Sequence, residues 1–218
     1  MSSKKRFFSV ITALALFMSL APWSSLKASA SYQGTFNFDE DGKFTVMQIT
    51  DIQSGTDVPS RVTTAISNAI ARYKPDLAVF TGDNVIESIV SESNFRTVVN
   101  AIVAPLNNTN TKFAVTFGNH DDEGPGAPEK SAQYDYFKSV GGANFVDHDI
   151  PALSGVGSGV IPVYRNGESS GEPAYEIYLM DSGSDPSTGS YDACYTDQIN
   201  YYIQKSEIYP DVPSEYNN

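Results

Sequence analysis

Three apolar, β-branched runs alternate with helical patterns in the first part of the chain. The runs are Phe44–Ile49, Leu77–Phe80 and Phe113–Phe117. Between them, apolar residues at helical spacing predict one helix from about Arg61 to Tyr73 and another from about Glu92 to Ala104. Strands that alternate with helices of this length predict βαβ units and a parallel sheet.

The remainder of the chain predicts a looser second half. A third helix is expected from Lys130 to Val140, and a fourth from Thr196 to Lys205. Two strands, Val160–Tyr164 and Ala174–Met180, are expected to join across Asn166-Gly167, a pair typical of tight turns. The pattern as a whole therefore predicts one α/β domain whose first half is the more regular.

The first thirty residues have the pattern of a secretory signal peptide. A basic Lys4-Lys5-Arg6 segment precedes an apolar run from Phe7 to Leu20, and Ala28-Ser29-Ala30 is a small-residue cleavage site. A membrane anchor is the alternative, but the run is shorter than the roughly 20 apolar residues of a spanning helix. We expect cleavage after Ala30 and a secreted, extracellular domain of residues 31–218 without a stable membrane anchor.

Charge and cysteine content narrow the possible partners. The net charge is -12, and removal of the basic leader would make the chain more acidic still. Such a charge argues against a broad nucleic-acid footprint. Cys194 is the only cysteine, so no disulfide can form within the chain. It either pairs with another chain or acts as a small apolar side chain.

A short polar segment follows each of the three regular strands. These segments are Asp51-Ile52-Gln53, Gly82-Asp83-Asn84 and Gly118-Asn119-His120-Asp121. Each residue alone has an ordinary explanation as a turn residue, a helix cap or a surface histidine. Ligands of open α/β sheets bind beyond the carboxyl ends of the strands, where these segments would meet. Carboxylate, amide and imidazole groups together are typical of a divalent-metal site.

The three segments resemble the signature of calcineurin-like metallophosphoesterases, which contain Asp-x-His, Gly-Asp and Gly-Asn-His-Asp or Gly-Asn-His-Glu in this order. The resemblance covers about Phe44 to Ile203. It implies a four-layer αββα sandwich and two divalent metal ions, such as Mn, Fe or Zn. It also implies hydrolysis of small-molecule phosphate mono- or diesters.

The resemblance implies a role for each matching residue. Asp51 would bind the first ion, Asp83 would bridge both ions, and Asn119 would bind the second. His120 would contact the substrate and either protonate the leaving oxygen or stabilise the transition state. Asp121 would hydrogen-bond His120 and fix its tautomer.

Two further positions, Gln53 and Asn84, lie close in sequence to the matching residues. Gln53 stands where the family usually has a histidine, and it offers a neutral oxygen in place of a nitrogen ligand. Weak ligation, contact through water and no role in metal binding stay open for it. Asn84 lies beside the predicted bridging residue, where it could contact the substrate phosphate.

The end of the sequence leaves a second interpretation open. The family has further histidines near its C-terminus, and this chain reaches Asn218 without them, so the second half is expected to be incomplete. The alternative is a catalytically incomplete metal- or phosphate-binding remnant, or a fragment of a longer phosphoesterase. His148 is not expected to be a ligand, and Asp181 is expected to support the site through hydrogen bonds. The oligomeric state is not indicated.

Overall fold

A computed structural model describes residues 31–86, 88–183 and 193–208. Six strands and four α-helices occur within these residues. In chain order they are β1 (Phe36–Asn37), β2 (Val46–Ile49), α1 (Ser60–Tyr73), β3 (Leu77–Thr81), α2 (Glu92–Thr109), β4 (Lys112–Thr116), α3 (Lys130–Gly141), β5 (Gly159–Tyr164), β6 (Tyr175–Leu179) and α4 (Thr196–Ile208). The predicted signal peptide and the last ten residues lie outside the described residues.

Strands β2, β3 and β4 form a parallel sheet in that order. Val46 pairs with Leu77, and Leu77 pairs with Lys112, so the three carboxyl ends reach one edge together. The prediction of βαβ units is confirmed. The central strand β3 is apolar from Leu77 to Phe80 and buried on both faces, which explains why it does not alternate.

Helix α2 is longer than its sequence pattern predicts. It begins after Ser91, whose side-chain oxygen accepts the N–H of Asn94 at 3.2 Å. The predicted end at Ala104 is wrong, because the helix continues through Pro105 to Thr109. Burial of apolar residues on both sides of the proline outweighs the lost backbone hydrogen bond.

A second sheet contains β1, β5 and β6 in that order. The predicted hairpin of β5 and β6 is confirmed as an antiparallel pair, and β5 runs parallel to β1. The sequence analysis did not predict β1, because two residues, Phe36–Asn37, are too short to show a hydrophobic period.

The core has two parts, one on each face of the first sheet. One face packs against helices α1 to α3 through residues such as Phe80, Phe113 and Phe137. The other face packs against the second sheet, where Leu77 and Val79 join the residues Phe36, Ala114, Val146, Ile161, Val163 and Leu179.

Helix α4 lies on the outer face of the second sheet, where the ring centroids of Tyr178 and Tyr202 are 4.9 Å apart. The predicted αββα order is therefore confirmed, with the fourth layer formed by one described helix. Within the described ranges, no helix has both the length and the apolar character needed to cross a bilayer.

Candidate functional site

The segments that follow β2 and β3 lie side by side beyond the sheet. The N–H of Asp51 donates to the carbonyl oxygen of Gly82 at 3.2 Å, and the N–H of Gln53 donates to that of Asp83 at 2.9 Å. The N–H of Ser54 continues the series to Asn84 at 3.3 Å. The two polar segments that the sequence separates by about thirty residues are thus brought together by backbone hydrogen bonds.

Three of the predicted metal ligands have left-handed backbone conformations. The φ angles are 53° for Asp51, 47° for Gln53 and 52° for Asp83. A non-glycine residue in this region costs of order 1–3 kcal/mol, and such residues cluster at functional sites. The surrounding hydrogen bonds hold the conformation, so the strain marks this edge of the sheet as a candidate site.

Two glycines allow the β3 and β4 turns to touch. Gly82 has a φ of 103°, and a Cβ there would lie 2.3 Å from the backbone nitrogen of Gly118. A Cβ on Gly118 would overlap the carboxylate of Asp83. A side chain at either position would push the turns apart, which is the physical reason for both glycines.

Asp83 lies at the centre of the three segments. One of its carboxylate oxygens accepts the backbone N–H of His120 at 3.2 Å, and its carbonyl oxygen accepts the N–H of Gln53. Its side chain is half-buried, whereas Asp51 and Gln53 are exposed. Asp83 therefore contacts both neighbouring segments, and its carboxylate lies between them.

Asp121 joins the β3 and β4 turns from inside the protein. It is fully buried, and its two carboxylate oxygens accept four backbone N–H groups. The donors are Asp83 and Gly118 to one oxygen, at 2.9 and 2.8 Å, and Asn84 and Val85 to the other, at 2.8 and 3.3 Å. We call this set the Asp121 clamp.

Burial raises the pKa of Asp121 from 3.8 to about 6, because removal of the carboxylate from water outweighs its four backbone hydrogen bonds. Near neutral pH the group is therefore ionised but held at an energetic cost. The four hydrogen bonds secure the relative positions of the two turns.

The structure corrects the predicted hydrogen-bond partner of the Nδ1 atom of His120. Nδ1 of His120 lies 2.5 Å from Oε2 of Glu123, not from Asp121, whose oxygens face the backbone. The sequence analysis did not predict this role for Glu123, because Glu123 lies two residues beyond the segment Gly118-Asn119-His120-Asp121. Its spacing of three from His120 in a polar turn was the available signal.

Two asparagines near the clamp are incompletely hydrogen-bonded. Both amide atoms of Asn84 and the Nδ2 atom of Asn119 are buried with no partner among the described residues. Asn84 is only 1% exposed, and its predicted contact with a substrate phosphate stays a prediction. Buried unpaired amides are costly, and they mark a place where a ligand or ion would restore a partner.

The predicted metal ligands would bind an ion mainly through oxygen atoms. Within the described residues, no group of three His, Cys, Asp or Glu side chains is arranged to hold an ion. The predicted set combines two carboxylates, Asp51 and Asp83, with the amides of Gln53 and Asn119. Oxygen donors of this kind suit hard cations such as Mn²⁺ better than soft ones.

His148, which is not expected to be a ligand, is buried. Its ring nitrogens lie 3.1 Å from the carbonyl oxygen of Val146 and 3.0 Å from that of Gly157. Burial lowers its pKa. The histidine thus links two parts of the chain through backbone contacts.

Asp181 forms a buried ion pair that the sequence analysis did not predict. Its carboxylate lies 2.9 Å from Nζ of Lys130, and its carbonyl oxygen accepts the side-chain amide of Gln198 at 2.9 Å. Both charged side chains are almost fully buried. The contacts connect α3, the end of β6 and α4, and the predicted support of the site by Asp181 stays a prediction.

Comparison with known proteins gives a consistent result. A family model described as calcineurin-like phosphoesterase matches residues 44–204. An Arabidopsis thaliana protein named probable inactive purple acid phosphatase 14 is 25% identical, over 95% of this chain and 58% of the relative. An uncharacterised protein of Schizosaccharomyces pombe is 28% identical, over 83% of this chain and 37% of the relative.

A third relative is named as a phosphatase. The phosphatase DCR2 of Saccharomyces cerevisiae is 26% identical, over 66% of this chain and 27% of its own length. The chain thus spans between about a quarter and three-fifths of these relatives. The family match spans strands β2 to β6 and includes all three polar segments.

Proposed function

Because the chain belongs to the calcineurin-like phosphoesterase family, we propose that it hydrolyses phosphate esters at the edge of the first sheet. The observation that carries this proposal is the position of Asp83. It contacts the segments of Gln53 and His120 at the carboxyl ends of three parallel strands. A phosphate group placed at this edge would face carboxylate, amide and imidazole side chains together.

The proposed cofactor is a divalent metal, with two ions as in the dinuclear sites that the family resemblance implies. Asp51, Asp83 and Asn119 would hold the metal, with the amide oxygen of Gln53 as a weaker donor. A bound cation would withdraw negative charge from the phosphate oxygens and help supply a nucleophile at neutral pH. Manganese is the first ion to test, because the donors are mostly oxygen.

His120 is the proposed proton donor. Water supplies the new oxygen to phosphorus while the bond from phosphorus to the leaving oxygen breaks. The leaving oxygen takes the Nε2 proton of protonated His120, one proton of the water stays on the released phosphate, and the other returns His120 to its charged form. A monoester would give an alcohol and inorganic phosphate, and a diester would give an alcohol and a phosphate monoester.

A small phosphoester is the proposed substrate class. The net charge of -12 disfavours a long polyanion, whose backbone would be repelled beyond the site itself. A monoester and a diester would both present phosphate oxygens to the same edge, so the assay uses one chromogenic ester of each kind.

The decisive test measures turnover of these esters by the purified chain with added Mn²⁺. We expect multiple turnovers that a chelator removes, and a loss of about 10²- to 10⁴-fold in kcat for His120→Ala. Glu168→Gln is the matched control, since Glu168 lies in the exposed turn between β5 and β6. Hydrolysis that is unchanged in His120→Ala would contradict the proposed role.

A second candidate function is metal or phosphate binding without efficient turnover. Gln53, in place of the usual histidine, favours this alternative because it weakens one set of ligands. The name of the Arabidopsis relative, which describes that protein as inactive, is in line with it. Calorimetric binding of Mn²⁺ or phosphate without hydrolysis of either ester would support this candidate over the first.

Substitution of Gln53 by histidine tests whether this position faces the metal. Histidine tolerates a φ of 47° better than most residues and supplies a nitrogen ligand. We expect Gln53→His to bind Mn²⁺ or Zn²⁺ at least about 10-fold more tightly, judging from the size of outer-shell effects on metal affinity. Metal titration of Gln53→His, Gln53→Ala and wild type measures this, and three equal affinities would show that residue 53 does not ligate.

We further propose that residues 1–30 direct export and are removed. The basic, apolar and small-residue segments of this stretch support the proposal. Mass spectrometry of the secreted protein would give a chain that begins at Ser31, whereas retention of Met1 in the secreted form would contradict cleavage.

A further inference from the structure

A second carboxylate lies beside His120 in the turn that follows β4. Oε2 of Glu123 is 2.5 Å from Nδ1 of His120, and the N–H of Glu123 donates to the carbonyl oxygen of His120 at 3.3 Å. The two side chains are 26% and 28% exposed. The contact is therefore partly shielded from water and lies within one tight turn.

The backbone that follows Glu123 is held against the segment preceding α2. A Cβ on Gly124 would lie 2.8 Å from the carbonyl oxygen of Ile89, and one on Gly126 would lie 2.0 Å from the nitrogen of Ser91. The N–H of Gly126 donates to the same Ile89 oxygen at 2.9 Å. The glycines thus allow a direct backbone contact that fixes the turn from this side.

Helix α3 and the Asp121 clamp fix the turn from the other side. The side-chain amide of Gln133 donates to the carbonyl oxygen of Asp121 at 2.6 Å and to that of Pro128 at 2.8 Å. Asp121 itself is held by four backbone N–H groups. The backbone on both sides of the His120–Glu123 pair is consequently anchored.

We propose that Glu123 is a positioning residue that orients the imidazole of His120 and keeps a proton on Nδ1. Exposed ion pairs usually contribute little, because two long side chains lose entropy when they meet. Here the anchored turn brings the carboxylate to the ring. With Nδ1 protonated, Nε2 is the nitrogen that exchanges a proton with the leaving oxygen. Only this last step rests on the proposed function.

A spectroscopic test is independent of catalysis. The chain has only two histidines, His120 and His148, so a long-range ¹H–¹⁵N correlation spectrum contains two imidazole patterns. His120→Asn assigns them. In the neutral ring of wild type we expect the Nδ1–H tautomer at His120. Glu123→Ala should shift this histidine toward the Nε2–H form, which free histidine favours in water, while His148 stays unchanged. An unchanged tautomer in Glu123→Ala would overturn the proposal.

A kinetic test asks whether Glu123 acts through His120. We expect Glu123→Ala to lower kcat by about 10- to 100-fold with little change in KM, and Glu123→Gln to retain part of the activity, because an amide oxygen still accepts from Nδ1. In the His120→Ala background, Glu123→Ala should cause no further loss. A further loss there, or an unchanged kcat in the single variant, would overturn the proposal.

Control measurements distinguish a loss of histidine positioning from unfolding of a variant and from failure of the proposed function. Melting temperatures of each variant detect unfolding, and Glu168→Gln supplies a glutamate substitution far from the turn. If wild type hydrolyses neither ester, the proposed function fails, and the tautomer comparison still decides the role of Glu123.

Discussion

Asp83→Asn is expected to lose bound metal and phosphoesterase activity while it keeps its fold. An amide has nearly the same shape as the carboxylate and can still accept the N–H of His120, so the turns should stay in place. It carries no charge, however, so two cations would lose their shared anion. Since the electrostatic effect of a catalytic metal is worth several kcal/mol, kcat/KM should fall by more than about 100-fold.

Elemental analysis and ester hydrolysis measure the effect of Asp83→Asn. Asp41→Asn is the matched control, because Asp41 lies in an exposed turn and pairs only weakly with Lys43. Circular dichroism of both variants should match wild type. Full metal content in Asp83→Asn would contradict the bridging role.

Asp121→Asn is expected to change how stability depends on pH. A carboxyl whose pKa is raised in the folded state, here to about 6, binds its proton more tightly when folded than when unfolded. Its contribution to stability is therefore full at low pH and is lost as the pH rises from about 4 to about 6. The raised pKa of Asp121 corresponds to at most about 3 kcal/mol. Asparagine does not titrate and should remove this component.

Urea unfolding of wild type and Asp121→Asn at pH 4, 5, 6 and 7 measures the difference. The stability advantage of wild type should shrink across this range, and parallel profiles would contradict the assignment. The same variant should lose at least about 10-fold in activity at pH 7.5, because its amide N–H₂ group faces backbone donors and opens the Asp121 clamp. Wild-type activity in Asp121→Asn would show that the clamp does not position the site.

Periodicity predicted the first sheet well because its signals are local. The runs that became β3 and β4 are continuous and apolar, and α1 has apolar residues at regular helical spacing. The extension of α2 through Pro105 was not predictable, since it depends on burial against other helices. The short β1 likewise exists only because β5 lies next to it.

In the candidate site, too, the sequence identified residues within short segments but not the contacts between distant segments. The sequence identified Asp51, Asp83 and His120, because each follows a strand at the same edge. It could not place the carboxylate of Asp121, whose partners lie across two turns. The spacing of three between His120 and Glu123 was a local signal for their contact, but the backbone contacts to Ile89 that hold this turn were not visible in the sequence.

The division of the core between two faces of the first sheet has a consequence for biogenesis. Every candidate site residue lies between Asp51 and Glu123, in a portion of the chain that leaves the ribosome before β5 and β6. The helix-facing core of this portion is completed soon afterwards by Tyr134, Phe137 and Phe145, but Leu77 and Val79 need the later strands β5 and β6 to cover them. Until those strands arrive, the nascent sheet presents a bare apolar face. Chaperone protection is most needed in that interval.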